Sequence, residues 1–330
     1  MAVPIAVWIA AGLGAAGIKI YMDRRDVSQI VENSQARYEE EKYNYYQVQQ
    51  SLMPLLMFNG RLKLEIWESF KRLVMVLEQI ENLPRQVKYM TFTPFRVGKP
   101  ERNALKENAK IVENILARGI AEMGTGILTG LALYGGTLTQ KMEQCEINKF
   151  PGFPECEEGT SILEALSTHK IDIPPAGNVA EAAVLNAILD IPAVVQDFGV
   201  AALDKKDKKA AIALKDNIDQ HSIELADVVG KMQRVQLTLE RITGYMNKLF
   251  KEYKKEIPKL EELVKTKKDY EQYTSEEKTL LVYTAFLVNV LKGITRIDIL
   301  LKRGNLYVLN TLDIRDCTEV TKKLFPDEEI

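Results

Sequence analysis

The sequence predicts an all-α fold: an elongated bundle of long antiparallel coiled-coil helices that carries an apolar helical hairpin as its head. Three observations predict it. Apolar residues recur at alternating steps of three and four over two long stretches, the spacing of a heptad seam. Ten of the twelve prolines of this 330-residue chain lie outside the longest periodic stretches, where they would break a helix. Alternating strand patterns are few, and no βαβ rhythm is present.

Taken in order, residues 1–22 hold an apolar block without charge before Lys19, followed by Arg24 and Arg25. Ala10/Gly14 and Gly12/Ala16 lie four apart, a spacing that lets helices approach closely in lipid. The block has the shortest length that can span a bilayer, and a buried N-terminal helix reads equally well. It lacks the basic start of a signal peptide.

Residues 23–117 form the first part of the bundle. From about Asp26 to Asn82 a seam runs from Val31 through Tyr38, Tyr45, Leu52, Leu62 and Leu73 to Ile80. Its polar members Ser34, Glu41, Asn59 and Ser69 favour a bundle over a simple dimer. Pro54 and Gly60 predict a kink or break midway. Pro84 and Pro94 mark a linker, and a second helix starts near Pro100.

Residues 118–203 are the head. The run Glu122–Gln140 carries no charge after Glu122 and holds five glycines between 124 and 136. Each costs a helix about 1 kcal/mol relative to Ala, so close packing, insertion or a conformational change has to compensate. Gly124, Gly126, Leu128, Gly130, Leu131 and Leu133 are the candidate membrane-insertion residues. The second arm, 179–203, places Asn186, Asp190 and Asp197 on one face; these are the candidate pore-lining or polar-face residues. Between the arms, 141–178 carries three lysines against seven carboxylates. The cluster Lys205, Lys206, Lys208 and Lys209 follows the second arm. The positive-inside bias then leaves the coiled-coil body on the cytoplasmic side and the acidic loop across the membrane. Cys145 and Cys156 flank that loop and could close it as a disulfide in an oxidising compartment; free thiols are the alternative.

Residues 204–330 complete the bundle. Leu225, Val228, Met232, Val235, Leu239, Ile242, Met246, Leu249 and Tyr253 keep the heptad steps without a gap. His221 falls on the same seam and reads as a packing residue. Thr274 and Glu277 are a capping-box pair that opens the last major helix, taken to end at Arg303-Gly304-Asn305. That helix has about thirteen uncharged residues in a row, too few to span, so it is expected inside the bundle.

Near-balanced charge, 44 basic against 46 acidic residues, argues against nucleic acid as a partner. No catalytic set is apparent. Gly124-Thr-Gly126-Ile-Leu-Thr-Gly130 lacks the lysine of a phosphate loop, and its third glycine is one residue late for a dinucleotide fingerprint. His169 has no cysteine pair near it, and no CxxC occurs, so neither metal nor cofactor is expected. The tyrosines at 38, 43, 45 and 46 read as a half-solvated bundle face that could meet a partner or lipid headgroups.

Long heptad helices at 26–82 and 204–265 flanking an apolar head at 118–203 resemble the α-helical pore-forming toxins of the cytolysin A and haemolysin BL type. That resemblance implies a hairpin hidden in solution and released into a membrane on homo-oligomerisation. The chain is also similar to bacterial proteins that pair a glycine-zipper centre with coiled-coil flanks, through the run Gly60-Arg-Leu-Lys-Leu-Glu-Ile-Trp-Glu-Ser-Phe70. The expectation is a non-enzymatic, membrane-active protein that forms a pore or perturbs a bilayer, as a toxin or defence effector. The alternative is a membrane-anchored scaffold or adaptor for a partner such as an ATPase or GTPase.

Overall fold

The computed structural model describes residues 15–117, 128–133, 208–303 and 306–325, and the chain is all-α. Its helices are α1 (Ala15–Gln79), α2 (Lys99–Ala117), α3 (Lys208–Thr266), α4 (Ser275–Thr295) and α5 (Thr311–Leu324). A further helical stretch covers 128–133. Two small antiparallel hairpins interrupt the helices, β1–β2 (Gln86–Val87 with Phe95–Arg96) and β3–β4 (Leu300–Arg303 with Leu306–Leu309).

The chain divides into two compact units, Met1–Ser51 with Ile191–Gln233, and Leu52–Asp190 with Arg234–Ile330. In the first, α1 buries the narrow stripe the heptads predict, Val31, Ser34, Tyr38, Tyr45 and Val48, while Tyr43 and Tyr46 are exposed. On α3 the stripe is Ile218, Leu225, Val228 and Met232. Arg37 bonds Asp219 at 2.9 Å across the pair. His221 is half-buried with Nδ1 3.2 Å from Glu224 Oε2.

In the second unit α1 buries two stripes. The predicted seam continues through Leu52, Asn59, Leu62, Ile66, Leu73, Val76 and Ile80. A second one, at Leu56, Gly60, Lys63, Trp67, Phe70, Val74 and Leu77, also advances by four and three and is buried throughout. A helix with two buried stripes is surrounded by neighbours. On the first side α3 contributes Leu239, Ile242, Met246, Leu249 and Tyr253. Asn59 Nδ2 donates to Thr243 Oγ1 at 2.7 Å, Tyr253 Oη to Ser69 O at 2.9 Å, and Arg72 holds Glu261 with two bonds of 2.8 and 2.7 Å.

These partners ascend together, so α1 and α3 are parallel here, a correction to the antiparallel expectation for this pair. Their C-terminal ends meet: Glu81 N donates to Lys268 O and Tyr270 N to Glu81 O. A heptad pattern selects the buried face, but the connection sets direction, and the long segment 80–207 has length enough to bring the chain back to the starting end. Helices joined by short connections are antiparallel, as expected. Glu78 and Glu113 pair with Lys106 and Lys71 between α1 and α2, and Lys267 pairs with Glu277 at the α3–α4 turn.

Three further expectations change. Helix α1 runs unbroken through Pro54 and Gly60; the surrounding packing holds the backbone where propensity alone would interrupt it. The linker containing Pro84 and Pro94 folds as the β1–β2 hairpin, whose Tyr89, Phe92 and Phe95 rings lie 5.0, 4.6 and 5.9 Å from the fully buried Phe286 ring. The last major helix ends at Thr295, and Leu300–Arg303 pairs with Leu306–Leu309 as β3–β4. Its capping box forms as predicted: Glu277 N bonds Thr274 Oγ1, and Thr274 N bonds Glu277 Oε2.

The glycines separate into two kinds. At Gly60 a Cβ would stand 2.8 and 2.9 Å from the carbonyl carbon and Cα of Leu128, backbone that cannot swing aside. At Gly244 no described atom lies within 4 Å of that position. Gly60→Ala should therefore lose about 1–3 kcal/mol by overpacking, whereas Gly244→Ala should gain about 0.5–1 kcal/mol in an exposed helix. Urea unfolding of the two variants checks this, and a Gly60→Ala protein as stable as the parent would contradict the close approach.

Candidate functional site

Residues 128–133 pack into the core of the second unit. Leu128, Thr129, Leu131, Ala132 and Leu133 are each at most 2% exposed. Of the candidate insertion residues, Leu128, Leu131 and Leu133 are thus inside, Gly130 is partly exposed, and Gly124 and Gly126 lie outside the described residues. So do Asn186, Asp190, Asp197, Cys145, Cys156 and His169. Cys317 is buried and free, and burial pushes its thiol up to about 12, which leaves it an inert core residue.

What holds the segment is a lysine. The glycine at 60 brings the α1 backbone against that of Leu128. One turn on, Lys63 reaches over with its side chain and donates from Nζ to Leu131 O at 2.9 Å and Ala132 O at 3.1 Å. Lysine is almost never this deeply buried without a partner, and Lys63 is 3% exposed. Its Nζ supplies two of its three N–H donors to those carbonyl oxygens. Leu133 O accepts from Ile299 N at 2.7 Å, so three successive carbonyls are bonded by groups outside the segment.

The Ile299 strap carries the second half of the site. Asp298 precedes it, and its Oδ1 is shielded from solvent with no hydrogen-bond donor among the described residues. Asn310, 2% exposed, locks the strap by donating Nδ2 to Asp298 O at 2.9 Å and to Asp313 Oδ2 at 2.8 Å, while its backbone N–H bonds Ile299 O. Arg296 lies over the Trp67 ring at 5.4 Å, tying the start of the strap to α1 by a cation–π contact.

Burial lowers Lys63 to about 7 against the opposing pull of Asp298. Burial raises Asp298 to about 7, with Lys63 pulling down and Asp313 pushing up. Asp313 is itself raised, chiefly by burial, against its bond from Asn310. The site is therefore a protonation balance in a dry place. It offers no nucleophile with an adjacent base, and among the described residues no group of three or more His, Cys, Asp or Glu could hold a metal.

Sequence reading passed over Lys63, Asp298 and Asn310. A signal for Lys63 was present: it falls in the second four-and-three stripe of α1, between Gly60 and Trp67, where a charge is out of pattern. Asp298 and Asn310 carry no such signal, because only the β3–β4 pairing brings them together. Helix α4 is long and apolar enough to cross a membrane, with 61% of its most apolar window buried; no other described helix passes that test. Comparison of the chain with protein-family models, with curated proteins and with solved structures returns no match.

The two titrations have opposite linkage to folding. Asp298, raised in the fold, contributes stability that is complete below its ordinary carboxylate range and lost as pH rises to about 7. Lys63, lowered in the fold, contributes stability that is complete above 10.5 and lost as pH falls to about 7. The pair's contribution is smallest near neutrality, by roughly 1.4 kcal/mol for each unit of displacement. Urea unfolding from pH 4 to 10 should show that relative to Asp298→Asn the parent loses stability between pH 4 and 7. Relative to Lys63→Met it should gain stability between pH 7 and 10. Parallel profiles for parent and variants would rule out the balance.

Proposed function

We propose that this protein is a non-enzymatic, membrane-active helical protein that stores its glycine-rich segment in the bundle and inserts it into a bilayer on oligomerisation. The observation that carries this reading is the buried Lys63 bonded to carbonyls of the 128–133 helix, which lies within the uncharged, glycine-rich run. A segment meant to stay in place needs no buried charge, since apolar packing of the same volume serves as well or better. A segment meant to leave gains from one. On release Lys63 recovers its hydration, and a helix in lipid bonds its own carbonyls.

The same uncharged run from Met123 to Gln140 supplies length for the hydrocarbon layer, and its glycines supply close helix–helix contact there. Asn186, Asp190 and Asp197 would line the aqueous side, and the acidic loop would lie across the membrane from the cytoplasmic body. The two readings of the task, a pore and an anchored scaffold for an ATPase or GTPase partner, differ in whether the bilayer stays sealed.

Dye release from liposomes tests this. The purified protein should release dye, and Gly130→Glu should reduce release about 100-fold, from the ~2.5–3.5 kcal/mol cost of a charged side chain at mid-bilayer. The same variant should keep its thermal stability within about 0.5 kcal/mol, because no described atom lies within 4 Å of a Cβ at 130. Lys63→Met, which replaces the buried charge by apolar packing, should need a higher protein concentration than the parent to release dye. Binding without release would sink the pore and favour the scaffold; no binding would leave 128–133 as a packing element alone.

A further inference from the structure

The β1–β2 hairpin of the second unit is built differently on its two sides. Val87 and Phe95 are buried, and the Tyr89 and Phe92 rings lie 5.0 and 4.6 Å from the fully buried Phe286 ring. The turn is closed by Phe92 N donating to Tyr89 O at 3.0 Å. Met90, inside that turn, has a φ of 48°, in the left-handed region that glycine enters freely and a bulky side chain does not. It is also 70% exposed. A strained backbone that shows an apolar side chain to solvent gains nothing inside the fold and points to a role at the surface.

The charge around Met90 is one-sided. From Asn82 to Pro100 the chain holds Arg85, Lys88, Arg96 and Lys99 and no carboxylate. All four cations are exposed, and none has an ion-pair partner among the described residues. Glu81 and Glu101 border the run, which still leaves four positive charges against two. Glu252 and Glu256, which face Tyr283 beside Tyr89, are already paired with Lys255 and Lys259. Basic side chains around a displayed apolar residue suit a membrane interface, where the cations meet anionic headgroups while the thioether leaves water. A soluble polyanion would use the cations and leave Met90 in water. We propose that the β1–β2 hairpin docks the protein on an anionic lipid surface, with Met90 entering the headgroup layer and Lys88 and Arg96 meeting lipid phosphates or carboxylates. Arg85 and Lys99, at the base of the hairpin, add attraction at longer range. The inference shares its lipid partner with the proposed function but does not use residues 118–203, so docking and insertion can fail separately.

Met90→Trp in a Trp8→Phe background places an indole at the tip. Trp67, the remaining tryptophan, is buried, and its signal is measured in Trp8→Phe alone. The full-length protein is mixed with phosphatidylcholine vesicles with and without phosphatidylserine, at low and high salt, with lipid brominated high on its chains as quencher. With phosphatidylserine the Met90→Trp emission should shift to the blue and be quenched, and high salt should weaken binding. Affinities are compared by vesicle sedimentation in the Gly130→Glu background, where insertion is suppressed. There Lys88→Gln and Arg96→Gln should each weaken binding about fivefold. Met90→Gly, whose backbone takes the turn without strain, should bind about tenfold more weakly while unfolding in urea no earlier than its parent. Quenching without dye release keeps the docking and removes the insertion; dye release without quenching does the reverse. A vesicle-bound protein whose indole is not quenched, or Met90→Gly binding as tightly as its parent, overturns the proposal. Binding to heparin that matches binding to vesicles and survives Met90→Gly also overturns it, and assigns the cations to a soluble polyanion.

Discussion

The second unit depends on the donors that reach the carbonyls of the buried 128–133 helix. Three of them, at 131, 132 and 133, find donors in Lys63 and Ile299. Each such buried bond is worth about 0.5–1.5 kcal/mol, and more from a charged donor, so together they tie the segment to its neighbours. Several neighbouring features serve those bonds. Gly60 lets the α1 backbone come close enough for a lysine side chain three residues later to reach. Asn310 holds the strap that presents Ile299 N. The β3–β4 hairpin exists at a place where helix would have pointed the strap elsewhere.

Using a lysine for this task has a cost that the surrounding residues only partly offset. Asp298 provides a countercharge, yet it is shielded too, and Asp313 beyond it opposes its ionisation. The result is an arrangement that is held by hydrogen bonds and weakened by desolvation, with the two groups balanced near neutral pH. Elsewhere in the unit the polar contacts are ordinary. The Arg72–Glu261 pair is partly exposed and bidentate, and the Asn59–Thr243 bond fixes the register of α1 on α3 in the way a polar residue does in a coiled-coil seam. The contrast marks Lys63 as the exceptional group.

Much of the helical framework was legible because periodicity reports burial. Leu225 to Tyr253 was read as one seam, and its predicted members are buried along their length. The Thr274–Glu277 box was legible because its bonds are local. The parallel course of α1 beside α3 was not, since heptads are blind to direction. The short strands were missed for a related reason: Phe95 and Arg96 pair with Val87 and Gln86 through backbone groups, and two-residue strands are too short to show alternation. Lys63 was legible only as a charge inside the second stripe of α1, and a lysine beside a seam is ordinarily a solvated one.

By itself the sequence determined the all-α class, the faces that α1 and α3 bury, the position of the α4 cap, and the existence of an uncharged glycine-rich segment. All of these are set by the identities of residues within a turn or two of one another. Tertiary structure alone decided that α1 and α3 run parallel, that Leu131 and Ala132 present their carbonyls to Lys63, and that Tyr89 and Phe92 pack on Phe286 while Met90 stays exposed. Those depend on the path of connections between elements far apart in the chain, and on the desolvation that a charge meets only when the neighbours are in place.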